Sequence, residues 1–256
     1  MHMRFERHRV GPAIAAPAGV AELFVHECER DLPRVAIPGP EIHLVVRIGA
    51  SVRNGLDVHA LGMRQEAHRK IVPAGQRTLF ARLHLHTYAA VLGVPAADIA
   101  GRIVALEDLW GRPAAQRLLD RLAGAHDTAT AAAVLEHALA ERIAMAEAPG
   151  AHALLAFDAA TRLANASVAA VARDLGMSER HLRRMFRQAV GVSPKAFAKL
   201  TRFRRALSAA REEGGTDWAG IAVASGYYDQ AHLIAEFRAI AGATPRALLA
   251  ELQGAG

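Results

Sequence analysis

The chain has very little cysteine and no long apolar segment. Each of these shortages excludes some kinds of protein. Its 256 residues include one cysteine, Cys28, which excludes an intrachain disulfide and fits a reducing compartment. No apolar run approaches the roughly 18 residues that a membrane-spanning helix needs. The first ten residues lack the apolar core of a secretory signal. The sequence therefore predicts a cytoplasmic protein without a membrane anchor.

Common catalytic signatures are also missing. The sequence contains no P-loop, no dinucleotide-binding glycine pattern and no Ser/His/Asp constellation. Apolar residues make up 52% of the chain, which is enough to form packed cores, and charged residues make up 22%. The length of 256 residues favours two domains. These observations predict a protein that is not an enzyme, with no catalytic residues and no cofactor.

Positive charge is concentrated in the C-terminal part. The net charge is +6, but residues 1–150 carry 17 Lys and Arg against 16 Asp and Glu, whereas residues 151–256 carry 14 against 9. Residues 178–211 alone hold 10 basic side chains and a single acidic one, Glu179. A local excess of that size is typical of a site for a polyanion.

Two stretches near the C-terminus repeat one pattern. Residues 167–200 read SVAAVARDLGMSERHLRRMFRQAVGVSPKAFAKL, and residues 217–249 read DWAGIAVASGYYDQAHLIAEFRAIAGATPRALL. Gly176 matches Gly226 at an offset of 50 residues, whereas His181 matches His232 at 51, so one residue is inserted in the second turn. A short helix, a tight turn and a second helix, used twice, indicate a tandem helix-turn-helix. Double-stranded DNA is therefore the first predicted partner.

The predicted fold class is α+β, with the break near Pro149. Residues 1–149 are expected to form a β-rich sensory or dimerisation domain with appended helices, and residues 150–256 an all-α domain of two helix-turn-helix units joined by a long helix. The predicted N-terminal elements are strands at Ile42–Ile48, Leu56–Leu61 and Thr78–His86, a hairpin turn at Arg53-Asn54-Gly55, and helices at Pro113–Leu122 and Thr128–Ala146.

After the break, the sequence predicts helices only. Good N-cap residues precede them at Ser167, Ser178 and Asp229, and at Thr216 or Asp217. The predicted helices are His152–Ala164, Val168–Leu175, Glu179–Val190, a long helix from Ser193-Pro194 to about Glu212, Trp218–Ser225, Gln230–Ala241 and a last helix that begins at Thr244-Pro245.

The helix predicted at Glu179–Val190 has an arginine face. At 3.6 residues per turn, Leu182, Met185, Phe186 and Ala189 form a buried stripe, and four arginines lie on the other side. Guanidinium groups contact phosphates or bind guanine O6 and N7 in the major groove; the alternative is a surface helix with repelling arginines. The predicted DNA contacts of this unit are Ser178, Arg180, Arg183, Arg184 and Arg187.

The second unit offers fewer polar groups. The positions equivalent to the arginines are Ala231, Ile234, Ala235 and Arg238. Its predicted DNA contacts are Gln230, His232 and Arg238, although both His181 and His232 fit a structural role equally well. The first unit is therefore expected to read bases, and the second to position the protein or to contact thymine methyl groups.

The long helix between the units sets their separation. About 19 residues at 1.5 Å each span roughly 28 Å, close to the roughly 34 Å between successive major-groove faces. The two units are therefore expected to enter adjacent grooves. Lys195 and Arg205 on this helix are predicted to contact the DNA backbone.

The repeat resembles the AraC/XylS family of bacterial transcriptional regulators over about residues 150–250. The stretch GYYDQAHLIAEFRAIAGATPRALL is similar to the family signature around the second helix-turn-helix. The resemblance implies base-reading positions at Arg180, Arg183 and Arg184. Ala235 stands where the family usually has a DNA-contacting arginine, which puts base contacts of the second unit in doubt.

A second resemblance concerns the N-terminal part. The stretch VLGVPAADIAGRIVALEDLWG is similar to a region of AraC-like proteins whose N-terminal domain is a degenerate cupin-like fold of unassigned effector. It implies that residues 1–110 form a sensory or dimerisation module. A small-molecule effector, RNA polymerase and a second copy of the chain are then further candidate partners, besides DNA.

Histidines leave a second function class open. His84 and His86 alternate along a predicted strand, and with His43 they would form a three-imidazole metal site. No carboxylate lies at a clear ligand spacing nearby, and structural histidines are the simpler interpretation.

The leading hypothesis is a sequence-specific transcription regulator. One alternative is a metal-dependent cupin-type enzyme domain fused to a DNA-binding module. The other is an interaction protein whose N-terminal half only dimerises or contacts polymerase.

Overall fold

The computed structural model describes residues 20–212 and 217–254. Seven strands lie in the first part of the chain: β1 Val20–Glu27, β2 Leu32–Ala36, β3 His43–Ile48, β4 Leu56–Leu61, β5 His68–Val72, β6 Arg77–Leu83 and β7 Ile103–Ala105. The α-helices are α1 Tyr88–Leu92, α2 Ala96–Ile99, α3 Leu106–Trp110, α4 Arg112–Ala123, α5 Thr128–Ala144, α6 Ala151–Arg162, α7 Val168–Asp174, α8 Glu179–Val190, α9 Pro194–Glu212, α10 Trp218–Ala224, α11 Gln230–Ala241 and α12 Pro245–Gly254.

The strands form two antiparallel sheets. The larger has the order β1-β6-β3-β4-β7, and the smaller pairs β2 with β5. Side chains alternate along the larger sheet, so Leu44, Val46, Leu79 and Ala81 are buried on the face that belongs to the main core. The predicted α+β class, with a sheet-rich N-terminal part and a helical C-terminal part, is confirmed.

The β3–β4 hairpin forms as predicted. The connection is a short 3-10 turn at Arg53–Gly55 in which Asn54 has φ 60°. Asparagine tolerates this left-handed conformation better than most residues. The turn fixes the antiparallel register that pairs Val46 with Val58.

One strand prediction is wrong at its end. The expected strand Thr78–His86 stops at Leu83, and the chain turns at residues 85–87 into a short 3-10 helix. Thr87 closes this turn by donating from its hydroxyl to the carbonyl of His84, at 2.8 Å. The two histidines of the segment therefore lie beyond the sheet and do not alternate along it.

The helices of the C-terminal part begin and end close to the predicted residues. Side chains cap α7, α8, α10 and α11, because Ser167, Ser178, Asp217 and Asp229 each accept a hydrogen bond from the backbone N–H three residues later. Asp217 is thus the cap of α10; the other candidate, Thr216, and the predicted stop at Gly214-Gly215 lie outside the described residues. No helix among those described is long and apolar enough to cross a membrane.

Two hydrophobic cores hold the chain together, and they do not divide it at residue 149. The first contains buried residues from Leu23 to Leu200 and so combines the larger sheet, α4, α5 and the first helix-turn-helix unit. The second contains Phe203, Leu233, Phe237 and other buried residues of the second unit. The chain is therefore packed continuously across the segment 145–150.

Residues of the smaller sheet hold the second unit from the side. Arg69 forms two hydrogen bonds to the Glu251 carboxylate, at 2.8 and 2.9 Å, and donates to the carbonyl of Ala241 at 3.1 Å. The N–H of Ala67 donates to the carbonyl of Ile240 at 2.8 Å. These contacts fix the C-terminal ends of α11 and α12 against the N-terminal part.

The first unit also contacts the N-terminal part. Gly191, which ends α8 with φ 95°, lies so close to α2 that a Cβ there would be 2.9 Å from the carbonyl oxygen of Ala96. Only glycine fits both the left-handed conformation and this approach. Each helix-turn-helix unit is thus held by a different part of the N-terminal region.

Candidate nucleic-acid interface

The two helix-turn-helix units are built by the same backbone hydrogen bonds. In the first unit, the N–H of Met177 donates to the carbonyl of Ala172 at 3.0 Å; in the second, the N–H of Tyr227 donates to Ala222 at 2.9 Å. Gly176 and Gly226 precede these residues, with φ 66° and 85°, a conformation that favours glycine. Met177 and Tyr227 are therefore structurally equivalent.

The arginine face of α8 is exposed as predicted. Leu182, Met185 and Phe186 are buried as predicted, and Val190 instead of the half-buried Ala189 completes the buried side. The opposite side of the helix is turned to solvent. Arg180, Arg183, Arg184 and Arg187 are all exposed on that side. The helix therefore presents four guanidinium groups on one surface.

The four arginines of α8 differ in their surroundings. Arg183 forms an ion pair with Glu179 one turn earlier, and Arg184 lies 3.4 Å from Nδ1 of His181. For Arg180 and Arg187 the structure gives no hydrogen bond or ion pair to any other described residue. These two guanidinium groups are ready to contact an external anion without breaking an internal contact.

Ser178 has a structural position. Its hydroxyl accepts from the N–H of His181 at 3.2 Å and caps α8. Capping of this kind stabilises a helix by about 1 kcal/mol. Its predicted role in DNA binding stays a prediction.

The exposed surface of α11 is nearly free of charge. Leu233, Phe237 and Ile240 are buried, and the exposed side includes Ala231 and Ala235. The predicted contacts Gln230 and Arg238 are exposed at the two ends of the helix. The asymmetry between the two units, expected from the sequence, is present in the structure.

His232 takes part in contacts within the protein. Its Nε2 lies 3.6 Å from the Glu236 carboxylate, and its ring meets the ring of Tyr227 edge-on at 5.3 Å. Arg202 of α9 also contacts this group, because it forms a hydrogen bond to Glu236 at 2.9 Å and lies over the Tyr227 ring at 5.6 Å. Burial, followed by the charge of Glu236, raises the pKa of Tyr227. These contacts give His232 the structural role that the sequence left open; its contact with DNA stays a prediction.

The basic residues of α9 do not form one surface. Lys195 is exposed, as a backbone contact requires. Arg205 donates to the carbonyl of Ala164 at 3.1 Å and to the Asn165 side chain at 3.2 Å, so it binds the end of α6. Arg204 is directed towards the N-terminal sheet, where burial first and then the charge of Arg204 lower the pKa of His43.

The three-histidine metal site, considered from the sequence as an alternative to structural histidines, does not assemble. His84 and His86 stack with ring centroids 5.3 Å apart in the turn after β6, while His43 belongs to β3, inside the larger sheet. Within residues 20–212 and 217–254, no three His, Cys, Asp or Glu side chains are grouped so that they could hold a metal ion. The strand that was expected to align the histidines ends too early, at Leu83.

The second face of the larger sheet carries ionisable groups around an aromatic ring. Phe80 lies between His26 and His43, with ring centroids 5.4 and 6.4 Å away. Burial, with the charges of Arg34 and Lys70, lowers the pKa of His26 to about 4. Burial, with the charges of Arg204 and Arg82, does the same for His43. Both imidazoles are therefore neutral at pH 7 in a positively charged environment.

A groove of about 730 Å³ runs beside α8 and is shared with the N-terminal part. Val94 and Pro95 line one wall, and Arg184 and His181 line the other. One predicted base-reading arginine thus also faces a groove to which the N-terminal part contributes.

Two ion pairs that restrict these side chains were not among the features predicted from the sequence. The Glu179–Arg183 pair has the i, i+4 spacing of a stabilising helix pair and was readable from the sequence. The Arg202–Glu236 pair joins two helices and has no local sequence signal. Both decide which guanidinium groups remain available.

Comparison with known proteins agrees with this architecture. Residues 171–251 match the family of the helix-turn-helix domain, and the resemblance to the DNA-binding domain of AraC-type regulators is confirmed for this part of the chain. No curated protein matches the sequence significantly.

Three solved structures have a partly similar course of the chain. A structure of ToxT from Vibrio cholerae is 10% identical, with a TM-score of 0.46, and the match covers 91% of this chain and 98% of that one. ToxT from the same organism with an unsaturated fatty acid bound is 12% identical, with a TM-score of 0.47 and coverage of 91% and 95%. A DNA-binding transcriptional dual regulator from Escherichia coli K-12 is 24% identical, with a TM-score of 0.32, over 40% of this chain and 97% of that one. The chain carries a helix-turn-helix domain over residues 171–251 and is a DNA-binding regulator.

Proposed function

We propose that this regulator recognises a specific DNA sequence mainly through α8, uses α11 to position itself on the next groove, and is modulated by its N-terminal part. The observation that supports this most directly is the exposed arginine face of α8. In helix-turn-helix proteins the second helix of the unit lies in the major groove. Arginine is the side chain that most often reads guanine there.

The division between the two units follows from their side chains. Arg180, Arg183, Arg184 and Arg187 supply donors for bases and phosphates, whereas α11 offers Ala231 and Ala235 in the same positions. Small side chains allow a helix to approach the duplex closely but do not discriminate bases by hydrogen bonds. Gln230, His232, Arg238 and Lys195 are then expected to contribute phosphate contacts, and Arg205 to combine such a contact with its role at the end of α6.

A small acidic effector is the ligand that we propose for the N-terminal part. The second face of the larger sheet combines an aromatic ring, Phe80, with two neutral imidazoles and the guanidinium groups of Arg34 and Arg82, of which Arg82 also pairs with Glu41 at 3.6 Å. An organic anion with an apolar body suits that combination. Arg204 links the face to α9 and thus to the helix that spaces the two units.

To test the effector, the melting temperature of the full chain is measured with oleate, with benzoate and with a neutral ester of each acid. We expect the acids to raise the melting temperature and the esters not to. Arg204→Ala should remove most of the stabilisation by the acids. An equal shift with esters, or no shift with any acid, would rule out an anion site at this face.

The test of the DNA-binding assignment is a selection from random duplexes with the full chain, followed by titration of the selected site. We expect Arg183→Ala to cost about 1–3 kcal/mol and to relax the preference for one base. Arg117→Ala, an exposed arginine of α4, is the matched control and should leave the affinity unchanged. A selection without a consensus, or an Arg183→Ala variant that binds like the wild type, would overturn the proposal.

The same proposal includes contact with RNA polymerase, a homodimer, a cytoplasmic location and the lack of an enzymatic activity. They are what the sequence predicts for a regulator of this kind. The division into residues 1–149 and 150–256 is likewise part of it as a division of roles. The first core spans both parts and is the physical link through which they influence each other.

A further inference from the structure

The residue inserted in the second helix-turn-helix unit is Tyr228. Met177 and Tyr227 are equivalent by their hydrogen bonds to Ala172 and Ala222. In the first unit the N-cap, Ser178, follows Met177 at once, whereas in the second unit Tyr228 stands between Tyr227 and the N-cap Asp229. The change of offset from 50 to 51 residues is therefore one tyrosine at the start of α11.

Tyr228 contributes almost nothing to the packing of the protein. Its side chain is 90% exposed, more than any other large hydrophobic side chain identified as exposed among the described residues. Its neighbour Tyr227 is only 4% exposed and belongs to the second core. The ring of Tyr228 is therefore accessible to another molecule.

The position of Tyr228 favours DNA as that molecule. In a helix-turn-helix unit, the N-terminal residues of the second helix are the ones that reach into the groove. Tyr228 directly precedes the N-cap of α11 and so lies at that end of the helix, near the exposed Gln230. Ala231 and Ala235 leave two exposed positions of α11 without long side chains, so the inserted ring adds a long side chain at the N-terminal end of the helix.

We propose that Tyr228 is a DNA-contacting residue of the second unit, with its hydroxyl donating to a backbone phosphate and its ring packed against the adjacent sugar. Tyrosine is among the side chains that make such phosphate contacts, which orient a protein on the duplex. The inference rests on the proposed function, because it assumes that α11 faces DNA.

The salt dependence of binding distinguishes an uncharged contact to DNA from a contact made by an arginine. Loss of a charged phosphate contact reduces the salt dependence of binding by about 0.9 in the slope of log K against log salt. Loss of the tyrosine should lower the affinity and leave that slope unchanged, because no counterion is released by an uncharged side chain. The expected losses are about threefold to tenfold for Tyr228→Phe and more for Tyr228→Ala, which also removes the ring.

The experiment measures the affinity of the full chain for the selected site at several salt concentrations, and for the same duplex truncated to the half bound by the first unit. Tyr228→Ala should weaken binding to the full site and have no effect on the truncated one. Met145→Ala, an exposed side chain outside both units, is the control. The melting temperatures of both variants should equal that of the wild type.

Arg187→Ala separates the two ways in which the proposal can fail. If Arg187→Ala weakens binding and Tyr228→Ala does not, the inference about Tyr228 is wrong while the proposed function stands. If neither variant changes binding, the proposed function is wrong as well. If Tyr228→Ala leaves DNA binding intact but abolishes stimulation of transcription in a purified system, the ring contacts a protein and the inference is also overturned.

Discussion

Arg202 on α9 donates to the carboxylate of Glu236 on α11 at 2.9 Å, and this pair fastens the recognition helix of the second unit to the helix that joins the two units. The side chain of Glu236 is only 14% exposed. A half-buried carboxylate without its partner would be poorly solvated. The pair therefore controls how rigidly α11 is held.

Removal of Arg202 should destabilise the protein. We expect Arg202→Ala to lower the free energy of unfolding by about 2 kcal/mol, because Glu236 would lose its hydrogen-bonded partner in a site with little water and keep only the longer contact with His232, at 3.6 Å. Urea denaturation of the full chain measures this loss. The control is Arg238→Ala, an exposed arginine on α11, the helix of Glu236. It should change the free energy of unfolding by less than about 0.5 kcal/mol. Equal stability of Arg202→Ala and the wild type would contradict the role of the pair.

Neutralisation of Glu179 should strengthen DNA binding. Glu179 holds Arg183 in an ion pair and places a negative charge on the surface that we propose to face DNA. We expect Glu179→Gln to raise the affinity for the selected site about threefold to tenfold, since it frees a guanidinium group and removes repulsion from phosphates. The helix itself would lose a few tenths of a kcal/mol of favourable interaction with its N-terminus. Glu147→Gln, exposed between α5 and α6, should have no effect on affinity.

Arg205 and Lys195 should behave differently although both are basic residues of α9. Arg205 binds the carbonyl of Ala164 and the side chain of Asn165, so Arg205→Ala should lower the free energy of unfolding by about 1–2 kcal/mol. Lys195 is exposed, so Lys195→Ala should leave stability unchanged and reduce the salt slope of DNA binding by about 0.9. Denaturation and salt titration of both variants measure these effects. A destabilised Lys195→Ala variant, or an Arg205→Ala variant of full stability, would contradict the two assignments.

Stability should fall in mild acid because of the histidines on the second face of the larger sheet. Burial, with nearby cations, lowers the pKa of His26 and of His43 to about 4. The folded state therefore binds fewer protons than the unfolded state, whose histidines titrate near 6.5. This contribution to stability is complete above pH 6.5 and is lost as the pH falls towards 4.

The variant His43→Gln isolates this effect. Its free energy of unfolding should depend less steeply on pH between 6.5 and 4 than that of the wild type, as measured by urea midpoints across this range. His126→Gln, an exposed histidine, should retain the wild-type profile. A profile of His43→Gln that follows the wild type would show that His43 is protonated equally in both states.

The C-terminal helices were predictable because their signals are local. The bounds of α8 and α11 coincide with those predicted, since the periodicity of Leu182, Met185 and Phe186 and the caps Ser178 and Asp229 all lie within a few residues. The strands β1, β2, β5 and β7 were not predicted. Their pairing partners lie far away in the sequence, and β5 is mostly exposed and rich in basic residues, so it carries no alternating pattern.

The sequence by itself determined that two unequal helix-turn-helix units follow a sheet-rich part, and that only the first unit kept an arginine face. The tertiary structure decided which basic residues remain available: Arg180 and Arg187 face solvent, whereas Arg202 binds Glu236, Arg205 binds the end of α6 and Arg69 binds α12. The physical reason is that charge is a property of the residue, but its partner depends on elements brought together by packing. Helix periodicity shows on which face of a helix a side chain lies. The residues that this side chain contacts are set only when the helices and strands pack together.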